Sequence, residues 1–161
     1  MPLLTGAGIY VFCLRNGRSI GQIRPAGSGL RYGGITKQSI NVRNHYLNGH
    51  SGGSTLRRSL RALLRVELTL TVQPRGSAAT EQDAVNFRFS ESDERRLSHW
   101  MADNLVANQI ALTADVRNEE TAAIIALQPP LNLTGWLNPQ KAILAQARRE
   151  CREAADRLLA I

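Results

Sequence analysis

The spacing of apolar and polar positions predicts strands at the start of the chain and helices toward its end. Gly8 to Leu14 (Gly-Ile-Tyr-Val-Phe-Cys-Leu) is a β-branched and aromatic run followed by Asn16-Gly17, which reads as a buried strand and a turn. Ile20 to Ile23 continues that hairpin, and Leu30 to Ile35, after the loose Pro25 to Gly29 stretch, forms a second strand holding Tyr32 and Gly33-Gly34. Ser39 to Asn48 follows as a helix with Ile40, Arg43 and Leu47 on one face, broken by Gly49 to Gly53. Thr55 to Leu64 is a second helix. Its Leu56, Leu60, Leu63 and Leu64 form the apolar side, and Arg57, Arg58, Arg61 and Arg65 lie largely on the other, so it reads as basic and amphipathic.

Glu67 to Val72 alternates as a half-exposed strand would, and Val85 to Phe89 alternates again after a polar linker, so the two are expected to pair. Ser90 or Ser92 caps the next helix, whose first turn carries Glu91, Asp93 and Glu94 and whose Leu97, Trp100, Met101 and Leu105 face inward. Gln109 to Val116 reads as a strand and Glu119 to Leu127 as a short helix stopped by Pro129-Pro130. A C-terminal helix is expected over Pro139 to Leu159, packed through an amphipathic face.

At 161 residues the chain has the length of a single domain, 1–161, able to bury most of its apolar surface without disulfides. Cys13 and Cys151 lie in different predicted elements and form no disulfide framework or zinc spacing, which favours a reducing, cytoplasmic setting. No apolar run reaches the ~18 residues of a membrane helix, and the first residues lack a basic, apolar leader pattern. Charge sharpens the picture. The net +7 and pI of about 10.4 are unevenly placed: Met1 to Val66 holds no Asp or Glu, and all 13 acidic residues lie from Glu67 onward. A one-sided positive field of this kind is the footprint of a phosphate-binding surface.

By spacing alone there is no Cys-x-x-Cys pair, His-x-x-x-His pair, nucleophile elbow or P-loop, which excludes much enzymology. The informative residues are Gly8-Ile9-Tyr10, then Tyr32-Gly33-Gly34, then Arg43. Far along the chain Glu120, Ile124-Ile125, Pro129 and Asn132 complete the set. In this order and spacing the chain resembles the GIY-YIG nuclease family, with the central apolar residue of the second tripeptide replaced by Gly33. The resemblance spans about residues 8–132. It departs in three places: a longer interval between Tyr10 and Tyr32, one extra residue before Arg43, and an insertion expected over residues 51–89 holding the basic helix and the hairpin.

The resemblance implies an α+β fold, a three-stranded antiparallel sheet flanked by helices, and a DNA endonuclease active with Mg2+ or Mn2+. Its working residues are then Tyr10, Tyr32, Arg43, Glu120 and Asn132. Glu120 is the metal ligand, sufficient alone because Mg2+ retains most of its waters. Arg43 holds a phosphate oxygen through its fork of donors, Tyr32 activates water, and Tyr10 orients water or phosphate. Asn132 positions the metal-side helix or the phosphate. His45 is a further candidate because Leu47 stands where the family places a His or Tyr. Lys37, Arg57, Arg58, Arg61 and Arg65 are expected to grip backbone phosphates. The rival expectation is a nucleic-acid-binding module that kept the fold and lost catalysis. Restriction-like, phage and plasmid settings, and a monomer or a homodimer, are all compatible with the residues.

Overall fold

The computed structural model describes residues 7–15, 20–26, 29–36, 54–74, 87–112 and 116–159. The predicted helix over Ser39 to Asn48, the Gly49 to Gly53 break, and with them Lys37, Arg43 and His45, lie outside the described residues. The α+β class and the three-stranded antiparallel sheet are as expected.

The first strand, β1 (Gly8–Leu14), is the centre of that sheet, and its alternation explains why. Tyr10, Phe12 and Leu14 are buried on one face while Ile9, Val11 and Cys13 are half-buried on the other. A strand covered on both faces gains most when both edges are also paired. β2 (Leu30–Thr36) pairs on one side, antiparallel, from Gly8↔Thr36 to Cys13↔Leu30, with a register shift between Phe12 and Cys13. β3 (Val72–Gln73) and β4 (Arg88–Phe89) form a separate two-stranded ribbon, Val72 opposite Phe89. β5 (Leu105–Ala111) takes the other side of β1, running from Leu14↔Leu105 to Gly8↔Ala111 and giving the sheet order β2-β1-β5. The approach of β5 demands Gly8: a Cβ there would collide with the Ile110 carbonyl oxygen.

Among the described residues four helices surround the sheet. α1 (Thr55–Leu63) starts at Ser54, whose Oγ accepts from the Arg57 N–H at 3.1 Å. α2 (Glu91–Asn104) starts at Ser90, whose Oγ accepts from the Asp93 N–H at 3.2 Å, and the acidic first turn suits the helix dipole. α3 (Val116–Leu127) covers β1 and β2, and α4 (Lys141–Leu159) packs on α1 and β3. Leu56 and Leu60 of α1, Leu97 and Met101 of α2 and Leu144 of α4 meet Tyr10, Phe12 and Leu14 in the main core. A smaller core joins Ala62, Val72, Phe89, Cys151 and Ala155. Cys13 and Cys151 are both free, and burial pushes the Cys151 thiol up to about 11.

Several expectations are corrected. Ile20 and Ile23 do not extend the hairpin but close a tight turn on themselves, with Gly21 at φ 54°, and both side chains plug the core. Glu67 to Leu70 is not strand: the chain turns from Leu64 to Thr69, and Arg96 Nη1 donates to the Leu68 and Thr69 carbonyls at 2.8 Å each. A side chain thus takes the bonds a strand partner would have supplied. The last strand begins at Leu105 rather than Gln109, because full-length pairing with β1 outweighs the helical reading of Leu105, and the next helix begins at Val116.

The largest correction concerns α1. Arg57 is wholly buried and Arg61 only 3% exposed. Arg57 Nη2 lies 2.8 Å from Glu94 Oε2 and also donates to the Glu94 carbonyl, while its Nη1 donates to Ser98 Oγ. Arg61 Nη1 lies 3.5 Å from Glu94 Oε1, and its guanidinium rests 4.8 Å from the Phe87 ring centre and 4.9 Å from that of Phe89. Burial pushes the Arg61 guanidinium down to about 10, Glu94 opposing the shift. The side expected to meet phosphates therefore faces α2, and neither Arg57 nor Arg61 is placed to grip DNA.

Replacing Glu94 by Ala leaves two buried guanidiniums without their carboxylate and is expected to cost about 3–5 kcal/mol in urea unfolding. Arg95→Ala, which removes only an exposed pair with Glu91, should cost less than about 1 kcal/mol.

Candidate active site at the Tyr32-Gly33-Gly34 segment

The site begins with a close contact across the sheet. Tyr10 stands opposite Gly34, and a Cβ at position 34 would lie 2.7 Å from the Tyr10 hydroxyl oxygen and 2.9 Å from Cζ. Such distances are sterically forbidden, so glycine at 34 is the condition for Tyr10 to lay its phenol over β2. Tyr32 is paired with Phe12, two positions along and on the same face, and its half-buried ring lies 6.4 Å from that of Tyr10, tilted by 31°. The strand alternation thus presents two phenols side by side.

β2 is an outer strand, and the N–H and C=O of Gly33 point away from β1. Asn132 takes both: its Oδ1 accepts from the Gly33 N–H at 3.0 Å and its Nδ2 donates to the Gly33 carbonyl at 2.8 Å. One side-chain amide thereby imitates a neighbouring strand. The turn that presents it is itself tied down. The Asn132 N–H donates to the Pro129 carbonyl, Trp136 Nε1 donates to the same oxygen at 3.1 Å, and Asn138 Nδ2 donates to the carbonyls of Pro130 and Asn132. Asn132 is therefore buried, and its amide joins the end of α3 to β2 rather than facing solvent.

Glu120 lies in the first half of α3, half-buried. It lines a narrow cleft with Ile9, Val11, Gly33, Gly34 and Pro129 whose free space is about 10 Å3. So small a cleft means that the helix sits almost directly on the sheet. Ile9 and Val11 belong to the face opposite Tyr10, so the carboxylate approaches the Gly33-Gly34 backbone from one face and the Tyr10 phenol from the other. Neither glycine places a side chain between them.

Four of the expected residues thus meet on one stretch of backbone: Tyr10, Tyr32, Glu120 and Asn132. Arg43, His45 and Lys37 lie outside the described residues. Arg57 and Arg61 are turned to α2, while Arg58 and Arg65 are half-buried. Among the described residues no three His, Cys, Asp or Glu side chains gather as a metal cage. A lone carboxylate fits a hard cation that keeps most of its water and does not fit zinc.

One residue escaped the reading of the sequence. Arg148 of α4 donates through Nη2 to the Thr55 carbonyl at 3.2 Å and to Ser59 Oγ at 2.7 Å. Burial lowers its pKa first and the nearby Arg58 second, with Tyr32 opposing. The available signal was its position: Leu144, Arg148, Cys151 and Ala155 form one stripe at helical spacing, and the other three members are fully buried.

A sheet of order β2-β1-β5 carries a tyrosine on each of its first two strands on one face, and a helix bearing a carboxylate is laid against the other. The family described as the GIY-YIG catalytic domain matches residues 8–154, nearly the whole chain and most of α4, and the chain belongs to that family. It is a nuclease-type family. No curated protein and no solved structure gives a significant match.

The two glycines should separate on substitution. A Cβ at Gly33 would make only ordinary contacts, 3.7 Å to Val11 and 4.0 Å to Pro129, so Gly33→Ala is expected to hold or raise stability by about 0.5–1 kcal/mol. Gly34→Ala should lower stability and change the near-ultraviolet circular dichroism of the displaced tyrosine. Asn132→Ala, which orphans the Gly33 peptide groups, should cost about 1–3 kcal/mol in the same denaturation measurement.

Proposed function

We propose that the chain is a divalent-metal-dependent endonuclease that hydrolyses phosphodiester bonds of DNA. The observation that carries this reading is the convergence of Tyr10, Tyr32, Glu120 and Asn132 on the Gly33-Gly34 backbone, within a chain of the GIY-YIG family. Glu120 would hold Mg2+ or Mn2+, whose bound form supplies positive charge against the phosphate and a more acidic water. Tyr32, the more exposed phenol, accepts a hydrogen bond from the attacking water and takes its proton in the phenolate form, which nearby positive charge favours. Tyr10, fixed by its seat on Gly34, directs its hydroxyl at the same water or at a phosphate oxygen.

Asn132 keeps β2 and α3 in register, so that phenols and carboxylate hold their separation while charge develops on the phosphate. Arg43 takes a non-bridging phosphate oxygen and His45 serves as a second proton carrier. Lys37, Arg58 and Arg65 contact backbone phosphates outside the scissile position. The two free cysteines suit a reducing cytoplasm, and no helix among the described residues is long and apolar enough to cross a membrane.

Supercoiled plasmid incubated with Mg2+ or Mn2+ should be nicked or linearised, and EDTA should stop the reaction. Tyr32→Phe is expected to slow cutting by about 10²–10⁴-fold, and Glu120→Ala to leave cutting indistinguishable from the EDTA control. Cutting that persists in Glu120→Ala would remove the metal role. Tight DNA binding with no cutting by the unsubstituted protein would identify a binding module that has lost catalysis.

A further inference from the structure

Guanidinium groups in the described part of the molecule divide into two kinds. Those of Arg57, Arg61, Arg95 and Arg96 have carboxylate partners. Arg58 and Arg148 have none among the described residues; the Nε of each is buried and without a hydrogen-bond acceptor, as are those of Arg57 and Arg61. Arg148 is held from α4 to α1 by two neutral oxygens, the Thr55 carbonyl and Ser59 Oγ. These contacts fix its direction and leave its charge uncompensated. Arg58 is the α1 residue next to Ser59, near enough to Arg148 for the two positive charges to disfavour each other.

Two half-buried like charges at one seam repel each other, and an anion placed between them would remove that repulsion. Tyr32 marks where that anion would lie. It packs against the core cluster to which α1 contributes Leu56 and Leu60 and α4 contributes Leu144, and it acts on the charge of Arg148. The charge of Arg148 is therefore felt at a residue of the candidate active site.

We propose that Arg58 and Arg148 form a cross-helix clamp for a backbone phosphate of the nucleic acid, beside Tyr32. The clamp rests on the nuclease reading and adds to it a residue from the C-terminal helix. Arg148 is preorganised by its two bonds to α1, so little side-chain freedom is lost when the phosphate arrives. Arg58 supplies the second set of donors, and the phosphate removes the repulsion between the two.

The test is fluorescence anisotropy of a short labelled duplex over a salt series, in the Glu120→Gln background with EDTA so that no strand is cut. Arg58→Gln and Arg148→Gln are expected each to weaken binding about 5- to 10-fold and to reduce the slope of log affinity against log salt by about 1. Arg149→Gln, the exposed neighbour on α4, should leave both quantities unchanged. A merely structural role for either arginine would leave the salt slope alone. Thermal melting checks folding, and if Arg148→Gln unfolds, Arg58→Gln decides, since the Arg58 side chain, unlike that of Arg148, ties α1 to α4 through no hydrogen bond among the described residues. Unchanged affinity and slope in a folded Arg58→Gln would overturn the clamp alone. Absence of any duplex affinity in the parent protein would overturn the clamp and the nuclease reading together.

Discussion

The site depends on how an outer strand is held. Gly33 presents its N–H and C=O away from the sheet, and the amide of Asn132, 99 residues further along the chain, accepts one and donates to the other. An unpaired strand edge would leave two polar groups without partners and let β2 shift against its neighbours. The clamp closes the edge without adding a strand, and because Asn132 follows α3 directly it also fixes where the Glu120 helix rests. Tyr32 and Gly34 flank the clamped residue, so the positions of both phenols pass through the same two hydrogen bonds.

The glycines of β2 do opposite things at adjacent positions. At 34 the missing side chain is occupied by the Tyr10 phenol, and any Cβ would be expelled or would expel the ring. At 33 the missing side chain leaves a small gap against Val11 and Pro129 that nothing requires. The departure from the family's second tripeptide therefore falls where the architecture is most tolerant. It does not disturb the contact between Tyr10 and β2.

The arginines of α1 show how weakly net charge reports on a surface. Packing against α2 on one side and α4 on another leaves that helix little solvent face, and Glu94 answers Arg57 and Arg61 together. Such a buried triad adds little net stability compared with apolar packing, but it selects one rotation of α1, because any other would strand the charges. That rotation puts Arg58 and Ser59 toward α4.

The order of chemical residues was legible in the sequence because it is carried by local patterns. Strand alternation around Tyr10, the Tyr32-Gly33-Gly34 tripeptide and the interval from Glu120 to Asn132 all survive without knowledge of contacts, and the sheet class follows from them. The turn over residues 64–69, the start of β5 at Leu105 and the direction of Arg57 and Arg61 were not legible. In each case a distant partner decided: Arg96 for the turn, β1 for the strand, Glu94 for the arginines. The sequence by itself thus determined which side chains are available and in what order they recur. Only the tertiary structure decided which of them face one another, because burial of a charge or the pairing of a strand edge depends on groups that the chain brings together from far apart.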